Sequence, residues 1–321
     1  MKRHIANNLK MIDLFAGIGG FRLAGEKQGI ECTFTSEWDK FAQQTYSANF
    51  SGNIAGDITK IDACDVPAHD ILCAGFPCQA FSVSGKQLGF ADTRGTLIYD
   101  VLRIVKHHKP KVLFLENVKN LEKHDNGRTF QIIKDNIEAL GYTVYHQVLN
   151  ASEYGVPQAR HRIYIVCFRN DIDSSSFTFP NKSRGVISLE DYLLKCNDPK
   201  LESLFIDRDD LVLNHKKEVA DNSVIQVGYF ASGRQGERVY SIKGHAITLS
   251  AYGGGVAAKT GAYLVDDNKV RKLHPVECAA VQGFPADFKI PVSNSQAWKQ
   301  FGNSVSVPVL SKIFRNILKT I

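Results

Sequence analysis

No two of the seven cysteines are spaced CxxC, so the zinc-finger and zinc-ribbon signatures are absent and no metal is expected. Cys32, Cys64, Cys73, Cys78, Cys167, Cys196 and Cys278 are scattered and odd in number. They read as the reduced thiols of a cytosolic protein, mostly small core residues, with one or two left for chemistry. No apolar run reaches the roughly 18 residues that a membrane helix needs. The basic start Met1-Lys2-Arg3-His4 leads into Ala6-Asn7-Asn8, not into the apolar segment of a signal peptide. A cytoplasmic protein is expected. Internal repeats and low-complexity tracts are also missing.

What is present is an ordinary globular composition over 321 residues, 44% hydrophobic and 22% charged, enough for one large domain and a smaller one. The net charge of +6 suits a polyanionic partner, although many soluble proteins share it.

Along the first half, strand and helix patterns alternate. Lys10–Ala16 is a short apolar run, followed by a helical stretch that Gly29 closes. Glu31–Trp38 reads as a second strand and Phe41–Phe50 as a helix, and Asp57 ends a further candidate strand. His69–Gly75, Lys111–Leu115 and Arg162–Phe168 have the compact apolar form of buried strands. Leu97, Val101, Ile104 and Val105 form one helical face; Phe130, Ile133, Ile137 and Leu140 form another. The pattern predicts an α/β fold, a doubly wound and mostly parallel sheet. It fades after Phe179. Residues 186–270, with a Gly-, Tyr-, Ser- and Arg-rich stretch at Gly228–Gly261, read as a smaller, loop-rich second domain. Residues 1–185 form the first domain, completed by 271–321, whose Val309–Ile317 is a terminal amphipathic helix.

Two places carry chemistry. Asp13-Leu14-Phe15-Ala16-Gly17-Ile18-Gly19-Gly20 follows a strand and opens a helix, where glycines let the backbone approach a ligand. Glu37 falls at the end of the next strand, where an acidic side chain holds ribose hydroxyls. The dinucleotide pattern GxGxxG is not met, because Arg22 occupies its third glycine position, so a ligand without pyrophosphate is favoured over NAD. The second place is Gly75-Phe76-Pro77-Cys78-Gln79, which sets a thiol just past the carboxyl end of a strand. A lone cysteine is more often packing than nucleophile. Here Glu116 ends the next apolar run, and Arg160 and Arg162 stand at the start of another, on one side by strand alternation.

In this order the motifs resemble those of the DNA (cytosine-5)-methyltransferases. They are Phe15–Gly20, Gly75–Gln79, Glu116-Asn117-Val118, Gln158–Arg162 as QxRxR, Arg271–Pro275, Gln282–Pro285 and Gly302–Val305, covering nearly the whole chain. The resemblance implies a class I fold dependent on S-adenosylmethionine, with S-adenosylhomocysteine as product, and makes 186–270 a target-recognition domain. It implies Cys78 as nucleophile, Glu116 as proton donor to the ring, Arg162 on the ring oxygen, and Arg160 either orienting Glu116 or holding backbone phosphate. Cofactor contacts carried over are Phe15, Gly17, Gly19, Glu37, Trp38, Asp57, Ile58, Pro77, Leu97, Asn303 and Ser304. Core packing explains Phe15, Leu97 and Ile58 equally well. On the DNA side, Ser82, Lys86 and Arg94 match phosphate contacts, Ser84 and Gln235 the residues that fill the gap left by a flipped base, and Arg238 and Tyr252 the recognition residues.

The family likeness further implies duplex DNA as partner, a monomer with no obligate protein partner, a place in a type II restriction-modification system, and GCGC as target. Two departures stand out. Arg234 occurs where a glycine is expected, as a phosphate contact, a change of specificity or a solvated residue. Val276 and Ala280 replace arginines that support the second domain. An RNA cytosine-5 methyltransferase of the same fold and a non-catalytic DNA-binding partner are the alternatives. Methyl incorporation into tRNA, and an adduct with 5-fluorocytosine DNA, discriminate them.

Overall fold

The computed structural model describes residues 9–77, 97–183, 185, 187–195, 197–214, 222–266 and 269–321. Cys78, Ser82, Ser84, Lys86 and Arg94 lie outside the described residues.

The first sheet has the order β2-β1-β3-β4-β6-β5. Its strands are β1 (Lys10–Leu14), β2 (Glu31–Ser36), β3 (Ile71–Ala74), β4 (Val112–Val118), β5 (Tyr142–Asn150) and β6 (His161–Arg169). β1 pairs in parallel with β2 and β3, and β3 with β4; β6 runs antiparallel to both β4 and β5. β3 is buried along its whole length and β4 to its last residue but one, which is why both read as unbroken apolar runs.

Strand alternation sends side chains to two apolar layers. On one face Met11, Cys73, Phe114 and Tyr164 meet Phe21 and Ala24 of α1 (Gly20–Glu26). On the other, Ile12, Leu72, Leu113 and Ile165 meet Val101 and Val105 of α3 (Leu97–His108) and Ile133 and Ile137 of α4 (Arg128–Ala139). Between β2 and β3 lies α2 (Lys40–Asn49), started by Asp39, whose carboxylate accepts from the Phe41 and Ala42 amides.

Three outcomes differ from the sequence reading. Asp57 ends no strand; it caps a 3-10 turn at Ile58–Lys60. β5 was not anticipated, because its solvent face carries polar residues such as Gln147 and breaks the apolar run. The loop-rich region holds a five-stranded sheet, order β11-β10-β9-β8-β7, made of Val212–Leu213, Gln226–Tyr229, Arg238–Ser241, Ala262–Asp266 and Lys269–Lys272 as β7 to β11. Strands of two to five residues are too short to show a period. Val227, Phe230, Val239, Ala262 and Val270 form its own small core.

The chain returns to the first sheet through α5 (Pro275–Ala280), α6 (Asn294–Asn303) and α7 (Val307–Thr320). A bidentate ion pair at the crossing joins Arg271 of β11 to Glu277 of α5, at 2.8 and 2.7 Å, with Arg271 1% exposed. Glu277 also accepts from the His274 and Leu194 amides. This buried pair provides polar support at the junction where Val276 and Ala280 supply none. α7 lays Leu310, Ile313, Phe314 and Ile317 over the layer that holds Met11. Phe114 stacks edge-on between Phe21 and Phe314, with ring centroids 5.1 and 4.9 Å away. No described helix is long and apolar enough to cross a membrane.

Candidate active site

At the carboxyl ends of β1 and β2 a cavity of about 170 Å³ is lined by Phe15, Ser36, Glu37, Trp38, Gly56, Asp57, Ile58, Thr59 and Leu97. The turn beside it needs glycine: Gly17 has φ 55° and Gly19 φ 85°, in the left-handed region. Phe15 itself adopts φ 56°, an unusual value for a side chain of that size and a mark of a constrained site. The Gly17 amide donates to Glu37 Oε2 at 2.8 Å, and the Asp39 amide to Oε1 at 2.7 Å. Glu37 therefore fixes the glycine turn against the end of β2, and burial pushes its pKa up.

Asp57 behaves oppositely. Hydrogen bonds from Thr59 hold its carboxyl below the usual range, so it stays an anion at the cavity wall. Trp38 is 72% exposed at the rim, an apolar plane that a base can cover. These features fit an adenosine-type ligand: an anionic acceptor for an amine, a carboxylate for hydroxyls, and flat apolar walls.

The remaining residues proposed from sequence do not line the cavity. Ser304 packs against Gly20, so the turn after α6 abuts the start of α1, with exposed Asn303 beside it. Pro77 is exposed, just beyond β3.

The acid–base pair sits at the same sheet edge. Glu116, near the end of β4, is 7% exposed, and Arg162 Nε lies 3.1 Å from its Oε1. The contact is an ion pair whose alignment falls short of a hydrogen bond, because Oε1 has no aligned donor among the described residues. Burial raises the Glu116 pKa, while the charges of Arg162 and Arg160 pull it down. A carboxyl held this way keeps a free oxygen and can carry a proton.

The reversed direction of β6 makes the pairing possible. In a parallel strand, a residue at the start would lie at the opposite edge; here Arg162 pairs in register with Val118 at the end of β4. Asn117 ties this edge to the chain that follows β3, its Nδ2 donating to the Phe76 carbonyl at 2.8 Å. Gly75 lies alongside Glu116, a Cβ there being 3.9 Å from Oε2.

Arg160 takes a different place from the one expected. It is 1% exposed and donates to the carbonyls of Leu249, Gly302 and Ser304. It makes no hydrogen bond to Glu116, although its charge acts on that carboxyl, and its hydrogen bonds go to a buried backbone joint. Sequence reasoning also assigned nothing to Asn117 and Gln158, which stood only as letters inside their motifs.

Beside the second sheet, Gln235, Arg238 at the start of β9, and Tyr252 are all exposed. Their two loops are locked together backbone to backbone. A Cβ on Gly236 would collide with the Gly254 carbonyl, and the Ala257 amide donates to the Gly236 carbonyl at 2.9 Å. Arg234 is exposed, its amide bound to Glu237 Oε2 at 2.9 Å. Among the described residues no group of three or more His, Cys, Asp or Glu side chains is arranged to hold a metal.

Fold and site together define a class I methyltransferase that depends on S-adenosylmethionine. The chain belongs to the C-5 cytosine-specific DNA methylase family, whose profile matches residues 9–319, and is a DNA (cytosine-5)-methyltransferase. It is 54% identical over 310 residues to the type II methyltransferase M.HhaI of Haemophilus parahaemolyticus, covering 96% of this chain and 94% of that one. It is 44% identical to M.HaeII of Haemophilus aegyptius, over 97% and 93% of the two chains. Among solved structures, DNMT2 of Spodoptera frugiperda superposes with a TM-score of 0.72 at 19% identity, over 97% of this chain and all (100%) of the other. The methyltransferase EhMeth of Entamoeba histolytica gives 0.73 at 18%, over 98% of each. At those identities the structural likeness speaks for the fold.

Proposed function

We propose that this protein is the modification methyltransferase of a type II restriction-modification system. In this reading it acts as a monomer on cytosolic duplex DNA and methylates carbon 5 of the first cytosine in GCGC. The observation that carries the reading is the Glu116–Arg162 pair, at the sheet edge where Gly75 and Phe76, just ahead of Cys78 in the chain, and the nucleoside cavity also lie. The likeness to M.HhaI supports the choice of target.

Carbon 5 of cytosine is a poor nucleophile. Addition of the Cys78 thiolate to carbon 6 forms a carbon–sulfur bond and makes the ring an enamine, nucleophilic at carbon 5. Glu116 shares its proton with ring nitrogen 3 and so relieves the negative charge that addition brings. Arg162 donates to the ring oxygen and holds Glu116 in place. S-adenosylmethionine supplies the methyl group. Loss of the carbon-5 proton to a base then restores the ring and expels the thiolate. Glu37, Asp57, Trp38 and the glycine turn would hold the nucleoside part of the donor.

A stacked base is out of reach of this edge, so the target must leave the helix. Residues 186–270 serve as the recognition domain. Gln235 and Ser84 fill the gap, Arg238 and Tyr252 read the site, and Ser82, Lys86 and Arg94 hold phosphates. Methylation of mixed-sequence DNA followed by bisulfite sequencing tests the proposal. Modification confined to the first cytosine of GCGC is expected. A different site refutes the target, and equal methyl incorporation into tRNA refutes the substrate class.

A further inference from the structure

Four stretches of chain that are distant in sequence meet in a buried polar seam between the two sheets. Gln158, fully buried, bridges three of them: its Nε2 donates to the Val281 carbonyl and its Oε1 accepts from the Leu249 amide, both at 3.3 Å. Thr248 Oγ1 donates to the Ala159 carbonyl. At the centre Arg160 donates Nη1 to the Leu249 carbonyl at 3.1 Å, and Nη2 to the carbonyls of Gly302, at 3.1 Å, and Ser304.

The fourth stretch, the end of α6, is pressed directly onto this joint. A Cβ on Gly302 would collide with the backbone of Ser250 and Ala251. Contact therefore runs without a break from the segment leading to Tyr252, through Arg160 and Gly302, to Ser304, which packs on Gly20 at the start of α1.

Among the described residues the hydrogen-bond partners of Arg160 are all neutral carbonyls, and burying a guanidinium in that way costs free energy that an apolar side chain would not incur. What the planar fork adds is geometry, since it fixes several acceptors in one arrangement. We propose that Arg160 is a positioning residue that sets the Gly302–Ser304 turn against the DNA-reading loop, so that cofactor binding and duplex binding are coupled through it. The inference rests on the functional reading above.

The test uses the full chain with Arg160→Lys. Lysine keeps the charge, but its single nitrogen cannot reach carbonyls on both sides of the joint in the same way. S-adenosylhomocysteine is titrated by calorimetry with and without a GCGC duplex, and duplex affinity is measured over a salt series. In the parent the two cofactor dissociation constants should differ by about fivefold or more. In the variant S-adenosylhomocysteine should bind on the order of tenfold more weakly and the ratio should approach one. The salt slope should not change, because no phosphate contact is lost.

Parental cofactor affinity and ratio in the variant overturn the proposal, as does a parental ratio of one. A salt slope lower by about one assigns Arg160 to a phosphate instead. If circular dichroism shows that the variant does not fold, Gly302→Ala, which pushes the same joint apart, should lose the ratio; a parental ratio there overturns the proposal. The parent's bisulfite pattern is read separately, so failure of the coupling and failure of the functional reading are distinguishable.

Discussion

Glu116 and Arg162 are diagonal neighbours on one face of an antiparallel strand pair, with Nε 3.1 Å from the carboxylate. Glu116→Gln should lower single-turnover methyl transfer by about 10²- to 10⁴-fold while duplex affinity is kept. The raised pKa of Glu116 also fixes a sign. The proton-donating form persists to higher pH than in an exposed carboxyl and is lost as pH rises through the raised value. Arg162→Ala removes an opposing charge, so the alkaline limb due to Glu116 should move to higher pH. Transfer should fall more than binding, which single-turnover rates measured beside gel-shift affinities will check.

Cys78→Ser should abolish methyl transfer and leave duplex binding intact. The parent should form a stable adduct with a duplex containing 5-fluorocytosine, since fluorine blocks the final elimination. Retained turnover in the variant would remove Cys78 from its role.

Glu37→Ala takes away the acceptor of the Gly17 and Asp39 amides. A hydrogen bond to a charged group is worth about 2 kcal/mol, so cofactor affinity should fall roughly thirtyfold. Calorimetric titration with S-adenosylhomocysteine reads this, and unchanged affinity would detach Glu37 from the cofactor.

Asp13 is fully buried on β1, and its Oδ2 accepts a 3.3 Å bond from the Arg22 amide. Burial pushes its pKa from 3.8 up to about 8. The folded chain then keeps a proton that the unfolded chain loses above about pH 4. Stability from this group is full below that pH, declines as pH rises towards 8, and is level beyond. The slope is on the order of 1 kcal/mol per pH unit. Asp13→Asn retains an acceptor for Arg22 without titrating, so denaturation melts at pH 5 and 8 should differ less than in the parent.

Gly236→Ala would drive a methyl group into the Gly254 carbonyl and separate the two loops that carry Gln235, Arg238 and Tyr252. Binding to GCGC should approach the non-specific level, a loss of about 10³-fold or more, while S-adenosylhomocysteine binding is kept. Competition binding against scrambled duplex measures it.

Much of this architecture was legible because buried strands and amphipathic helices leave strong patterns. Ile71–Ala74 and Val112–Leu115 are apolar on both faces, and Glu116 follows such a run, whereas Glu37 ends the mixed, half-buried strand Glu31–Ser36. What pattern cannot carry is direction. Nothing in His161–Arg169 says that the strand runs backwards, although the place of Arg162 depends on it. Nor does residue type reveal a partner that is a backbone carbonyl. Arg160 looked like an arginine for phosphate or carboxylate, and its acceptors lie 89 to 144 residues away. Asp57 lines the cavity but sits on another element than expected, since an aspartate that caps a 3-10 turn and one that ends a strand look alike in sequence.

The lid over Met11, Phe21 and Phe114 is α7, made well after the strands it covers. During synthesis those side chains wait, wet and sticky, until α7 has left the ribosome. A chain stalled or clipped before Val307 would be recruited by chaperones or proteases, and half-made copies would leave no partial footprint of modification on the genome.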